Sequence, residues 1–173
     1  MKNHTIWVFD SSPLIYLNKV GLEWVLEELE GEKIVPPEVY EQVVTRGKAR
    51  GDADALLTER LVEQGVITVV PVESDFKARV SGLRTELHEG ELDVLALAAE
   101  KSGIAVQDES IAREVATVFK IEVHGTLFLL FLMVRSGKLK KDEARDKVNL
   151  MIQKGFRLGH EEYLAFLQLL QKL

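Results

Sequence analysis

Ile6-Trp7-Val8-Phe9-Asp10-Ser11-Ser12-Pro13 decides the fold. An apolar run with two β-branched residues and two aromatics predicts a buried strand. It stops at an acid, Asp10. Ser12 then offers a hydroxyl N-cap, and Pro13 takes the first helical position, where its missing N–H costs nothing. A strand ending in a carboxylate at a strand-to-helix turn places that carboxylate at the carboxyl edge of a sheet. In open α/β sheets that edge is where ligands bind. A single acid of this kind is equally explained as a polar turn residue, so the rest of the chain must supply the others.

Working outward, strands alternate with helices. Leu14, Ile15, Leu17 and Val20 form one helical face, continued by Leu22, Val25, Leu26 and Leu29 as far as Gly31. Lys33-Ile34-Val35 predicts a short strand closed by Pro36-Pro37. Glu38 to Thr45 reads as a helix, Arg46 to Gly51 as a basic, glycine-bounded loop, and Asp54 to Gln64 as another helix. Val66 to Val70 is a β-branched run, and 74–87 predicts marginal helix. A clear helix starts at His88-Glu89-Gly90-Glu91 and ends at Gly103. Ile104 to Gln107 predicts a strand running into Asp108, followed by a helix to about Phe119 and a last strand over Ile121 to Val123. An apolar helix follows Gly125-Thr126 as far as Arg135. Two tail helices close the chain, over Lys141 to Lys154 and from Glu161 onward. The alternation predicts an α/β fold: a three-layer α/β/α sandwich on a mostly parallel sheet, joined by right-handed crossovers. We expect a single domain over 1–173, with a core of about 1–135 and a helical tail of about 136–173.

Composition narrows the chemistry. The chain has 173 residues, enough for one well-packed domain, with 46% hydrophobic and 29% charged residues, which argues against disorder. It contains no Cys, so disulfides and thiolate metal sites are excluded, and its four His show no zinc-binding spacing. The polar start does not resemble a signal peptide, and the longest apolar run, Leu127 to Val134, is far below the ~20 residues that span a bilayer. We therefore expect no membrane association and a cytoplasmic location. A net charge of −6 is not the footprint of a protein that binds duplex DNA by broad phosphate neutralisation. It is compatible with a nucleic-acid enzyme whose carboxylates hold cations that reverse the local sign.

Asp10, Glu91 and Asp108 share one address, just after a strand or in the first turn of a helix, and Asp93 lies two residues beyond Glu91. Each has a local explanation: acids suit helix N-termini, and Asp108 is a reasonable N-cap. Glu38 and Glu41 read equally well as a solvated helix face. Taken together, parallel strands would bring several of these carboxylates to one edge, where mutual repulsion raises pKa values or recruits cations. Oxygen ligands without Cys or paired His select Mg²⁺ or Mn²⁺. Such ions activate water and stabilise the leaving oxygen in phosphodiester cleavage.

Several motifs in order then resemble one family. They are Asp-Ser-Ser-Pro-Leu-Ile at 10–15, Pro-Pro-Glu-Val-Tyr at 36–40, Gly-Glu at 90–91 and Asp-Glu-Ser-Ile-Ala-Arg at 108–113. Gly-Thr-Leu at 125–127, Arg-Ser-Gly-Lys-Leu at 135–139 and Lys-Gly-Phe-Arg-Leu at 154–158 continue the series. The chain resembles the DUF3368 branch of PIN-like proteins. That resemblance implies a metal-dependent ribonuclease site using Mg²⁺ or Mn²⁺ and single-stranded RNA as substrate. Many PIN proteins are toxins of toxin–antitoxin pairs, often dimeric and neutralised by a small antitoxin protein. By position, Asp10, Glu91 and Asp108 would be the catalytic and metal-binding acids, with Asp93 nearby and Glu109 in an outer shell. Ser12 and Thr126 would offer hydroxyls near the substrate phosphate. One position departs: where relatives carry the acid of the early helix, this chain has Gln42, with Glu38 and Glu41 as the candidate substitutes for it.

Three functions compete. The first is a PIN-type endoribonuclease, with Arg46, Lys48, Arg50 and Arg113 as phosphate contacts. The second is a catalytically weak PIN-like module binding RNA or a protein partner, which Gln42 favours. The third, a haloacid-dehalogenase-like phosphatase, wants an Asp two residues after Asp10, where Ser12 stands. The C-terminal Leu164, Phe166, Leu167, Leu169, Leu170 and Leu173 exceed one core-facing stripe, so we also expect a homodimer.

Overall fold

The computed structural model describes residues 4–80, 82 and 86–173. Five strands, β1 (Ile6–Phe9), β2 (Glu32–Val35), β3 (Thr68–Val69), β4 (Ile104–Val106) and β5 (Val123–His124), form one sheet in the order β3-β2-β1-β4-β5. Every pairing is parallel. Trp7 lies opposite Ile104, Val8 opposite Ala105 and Phe9 opposite Val106. Val8 and Phe9 are completely buried, as a strand covered on both faces requires.

Between and after the strands run α1 (Ser11–Lys19), α2 (Trp24–Glu28), α3 (Pro37–Tyr40), α4 (Arg46–Arg50), α5 (Ala53–Glu63), α6 (Phe76–Val80), α7 (Glu89–Lys101), α8 (Ser110–Val118), α9 (Thr126–Arg135), α10 (Lys141–Gln153) and α11 (His160–Lys172). The chain leaves β1 towards β2 on one side, whereas β4 leads to β5 on the other. Right-handed crossovers in opposite directions put their helices on opposite faces. In keeping with this, α1 packs with α5 and α10, while α7 packs with α6 and α8. The three-layer α/β arrangement expected from the alternation is present. Tail side chains Val148, Met151, Phe166 and Leu170 join the same hydrophobic cluster as Trp7, Leu95 and Leu129. No helix among the described residues is long and apolar enough to cross a membrane.

Several local expectations need correction. The cap of α1 is Asp10 rather than Ser12: its Oδ1 accepts the Ser11 N–H at 2.7 Å, which moves Pro13 to the third helical position. Residues 46–51 are not a loop. A π-helical turn at Glu41–Thr45 links α3 to α4, which ends at Gly51 with φ +80°. Gly47 misled the sequence reading because it serves close packing: a Cβ there would stand 2.8 Å from the Ala55 Cβ. The last strand begins at Val123, two residues later than expected, because Ile121 N–H still closes α8 on the Ala116 carbonyl. Among the described residues of the marginal helix over 74–87, Phe76–Val80 is the helical part; Ser81 and residues 83–85 lie outside the described residues, as does the start of the chain before His4.

Candidate active site

The sheet order reverses between β1 and β4, and the crevice at such a reversal is the binding position of an open α/β sheet. Asp10 follows β1 directly, with its own N–H donating to the Val106 carbonyl at 3.0 Å. Asp108 stands two residues beyond β4. Glu91 arrives from elsewhere, in the first turn of α7, and is drawn to the same place by Gln107. That side chain is fully buried, and its Nε2 donates to the Glu91 carbonyl oxygen at 2.9 Å. Asp10, Glu91 and Asp108 line one cleft of about 210 Å³, with Ser11, Ser12, Tyr16 and Glu109 beside them. Phe156 and Arg157 close it from the connection between α10 and α11.

Each acid is held by donors at a helix start. Asp10 caps α1. The Glu91 carboxylate accepts the His88 N–H at 2.9 Å, ahead of α7. Asp108 does not cap the helix that follows it; Glu109 occupies that position. Its Oδ1 instead accepts the N–H of Thr126, the first residue of α9, at 2.7 Å. Its Oδ2 accepts the hydroxyls of Thr126 at 2.7 Å and Ser12 at 3.1 Å. Both hydroxyls expected near a phosphate are thus spent on Asp108. Gly125 makes this approach possible, since a Cβ there would lie 2.9 Å from Asp108 Oδ1.

Burial dominates the electrostatics, with repulsion between carboxylates a smaller contribution at Asp10 and Glu91. Asp10 is 5% exposed, and its carboxyl is pushed up from 3.8 to about 7. Desolvation is the main cause, opposed by the Ser11 N–H and reinforced by the charges of Glu91 and Asp108. Glu91 is raised by its own burial against the His88 N–H, with Glu109 adding repulsion. Asp108 is raised by burial, against Thr126, Ser12 and the nearby Arg113.

The remaining expected residues separate. Asp93 is buried on α7, 2.5 Å from Lys77 Nζ, and is not part of the cleft wall. Gln42, on the π-helical turn, lies against Gly90, the residue before Glu91: a Cβ on Gly90 would meet its amide at 3.1 Å. Gln42 Nε2 donates to Glu38 Oε1 at 3.2 Å. Glu38 also pairs with Arg46 at 3.5 Å, and Glu41 with Arg46 at 4.0 Å. Lys48 is tied to Glu59 and Arg50 to Asp52. The three cations of α4 therefore have carboxylate partners away from the cleft, whereas Arg113 sits near Asp108 with Glu162 at 3.6 Å.

The sequence model of the DUF3368 family, a PIN domain, matches residues 6–172. The chain belongs to the PIN-domain family DUF3368. No curated protein sequence matches it. Membership places this PIN domain in a nuclease-type superfamily whose members generally use divalent metals.

The donor chemistry suits such an ion. Three hard carboxylates face one cleft, and the raised carboxyl of Asp10 reflects its burial, to which the charges of Glu91 and Asp108 add. Among the described residues no three His, Asp or Glu side chains are already grouped as an ion site. The carboxylates instead rest on the N–H groups of three helix starts. Gln107, Gly125 and Arg157 escaped the sequence reading as site residues. Gln107 adjoins the 108–113 motif, and Gly125 and Arg157 lie within the 125–127 and 154–158 motifs without carrying an acid.

Proposed function

We propose that this PIN domain is a Mg²⁺- or Mn²⁺-dependent endoribonuclease acting on single-stranded RNA, with Asp10, Glu91 and Asp108 holding the ion. The observation that carries the reading is their shared cleft at the sheet's reversal point, reached from three segments far apart in sequence. Bound there, a hard divalent ion would supply an activated water and charge neutralisation at the scissile phosphate. Asp10 is the pivot, since its position is fixed by both β1 and the α1 cap. Thr126 and Ser12 orient Asp108, and Gln107 holds the first turn of α7 that carries Glu91. Arg113 and Arg157 stand where substrate phosphates would approach.

Cleavage of a labelled single-stranded RNA should require Mn²⁺ or Mg²⁺ and disappear in Asp10→Asn. Undiminished cleavage in excess EDTA would rule the mechanism out. Within this reading the chain would act as the toxin of a pair. Its expression should then arrest growth, Asp10→Asn should not, and a small antitoxin encoded beside it should restore growth. One observation favours the second function, a weakly catalytic module binding RNA or a protein: Gln42 brings an uncharged amide, already bonded to Glu38, to the Glu91 side of the site. Wild-type protein that binds RNA but cleaves none, with Gln42→Glu restoring cleavage, would support it.

A further inference from the structure

Beside the acid cleft lies a second cavity of about 270 Å³, walled by α8, α9 and α11. We infer that it receives one unstacked base of the single-stranded nucleic acid whose backbone crosses the acids, an inference that rests on the nuclease reading. The two cavities adjoin: Asp108, Phe156 and Arg157 line both. A strand whose phosphate lies at Asp108 therefore has a neighbouring nucleotide at the mouth of the second cavity.

The walls suit a base. The rings of His124 and Phe128 are stacked, with centroids 3.7 Å apart and planes 12° from parallel. Phe131 and Leu169 extend the apolar lining. Flat aromatic surfaces bind bases of any sequence, because every base has a π-face. The volume falls just below the ~300–1,000 Å³ of pockets for drug-sized ligands, which leaves room for one planar heterocycle. The rim carries Arg113, paired with Glu162 at 3.6 Å, and Arg157. Arg157 is exposed and, among the described residues, has no carboxylate within ion-pair distance, while Arg113 lies on the same wall. Arginine beside a stacking surface is the combination that holds a single strand through both phosphate and base. The cavity lies outside the acid cleft proper, so its occupant affects affinity and register rather than the reacting atoms.

The test is a cycle between protein and RNA. A short single-stranded RNA, and versions carrying one abasic site at each position in turn, are titrated against the full chain with Ca²⁺ replacing Mg²⁺. In wild type, one abasic position should weaken binding on the order of tenfold. In Phe128→Leu, which keeps apolar bulk and removes the ring, the intact RNA should bind on the order of tenfold more weakly, and that abasic position should cost nothing further. Leu169→Glu, at an exposed rim residue (45%), provides a second variant should Phe128→Leu fail to fold, and it should weaken intact RNA in the same way. An abasic profile that is flat in wild type, or identical in wild type and variants, overturns the base pocket while leaving the nuclease reading intact. If wild type binds no single-stranded RNA at all, both fall together.

Discussion

Replacing Asp10 by Asn should stabilise the metal-free protein above neutral pH while abolishing its activity. Asn is as good an N-cap as Asp, so the Ser11 N–H keeps an acceptor and α1 its start. What the substitution removes is a charge. Raising a carboxyl from 3.8 to about 7 is worth about 4 kcal/mol, at about 1.4 kcal/mol per unit. The cleft opens to solvent, and its hydration returns part of that, so we expect a gain of about 2 kcal/mol at pH 8. For a chain of this length that is roughly 4–8 °C in Tm.

The direction with pH follows from proton counts. Between 3.8 and about 7 the folded state holds the Asp10 proton and the unfolded state has lost it. The stability this lends is complete below pH 3.8 and disappears as pH rises through 7. Asp10→Asn should therefore match wild type near pH 4 and exceed it near pH 8, in EDTA, by thermal or urea melts. Adding Mn²⁺ should reverse the order, because wild type gains stability in proportion to ln(1 + [metal]/Kd) and the variant gains less. Melting curves that stay parallel across pH, or a variant no more stable than wild type at pH 8, would refute the buried, repelled carboxylate.

Three further outcomes are expected. Gly125→Ala forces its new Cβ against Asp108 Oδ1, so it should cost about 1–3 kcal/mol in urea melts and weaken Mn²⁺ stabilisation. Gln42→Glu should tighten Mn²⁺ in calorimetric titration and raise the cleavage rate, whereas Glu41→Gln should change little; the opposite pattern would make Glu41 the ligand. Phe166 and Leu170 are buried within the chain, but Leu164 and Leu173 remain 43% and 44% exposed, so we expect a dimer through α11. A monomer by light scattering at high micromolar concentration would count against it.

How much of this was legible in the sequence depends on the distance over which each signal acts. The stretch from Ile6 to Asp10 specified its strand locally, because a continuous apolar run has few alternatives beneath two helical layers. The early helix was misjudged because Gly47 looks like punctuation until Ala55 is seen packed on it, a contact between two helices that spacing along one does not reveal. The acids could be selected but not arranged. That Asp93 turns to Lys77, or that the α4 cations find Glu38, Glu59 and Asp52, depends on partners that only the fold supplies.

The same physics explains why each acid looked ordinary alone and why they make a site together. A buried carboxylate is costly unless donors face it, and a helix start offers unpaired N–H groups together with the positive end of the helix dipole. Asp10 uses α1, Glu91 the turn entering α7, and Asp108 the first N–H of α9. Three helices beginning at one sheet edge thus allow one buried carboxylate, Asp10, and two partly buried ones, Glu91 and Asp108, to share that edge without any of them lacking a donor. These donors only partly offset the cost: Asp10 retains its donor and is still pushed up to about 7. The residual strain is electrostatic rather than conformational, so a cation can relieve it without moving the backbone that presents the acids. Asp10 caps the helix that follows it, whereas Asp108 leaves the cap of α8 to Glu109 and takes its donor from α9, so only the fold brings the three acids and their donors to one edge.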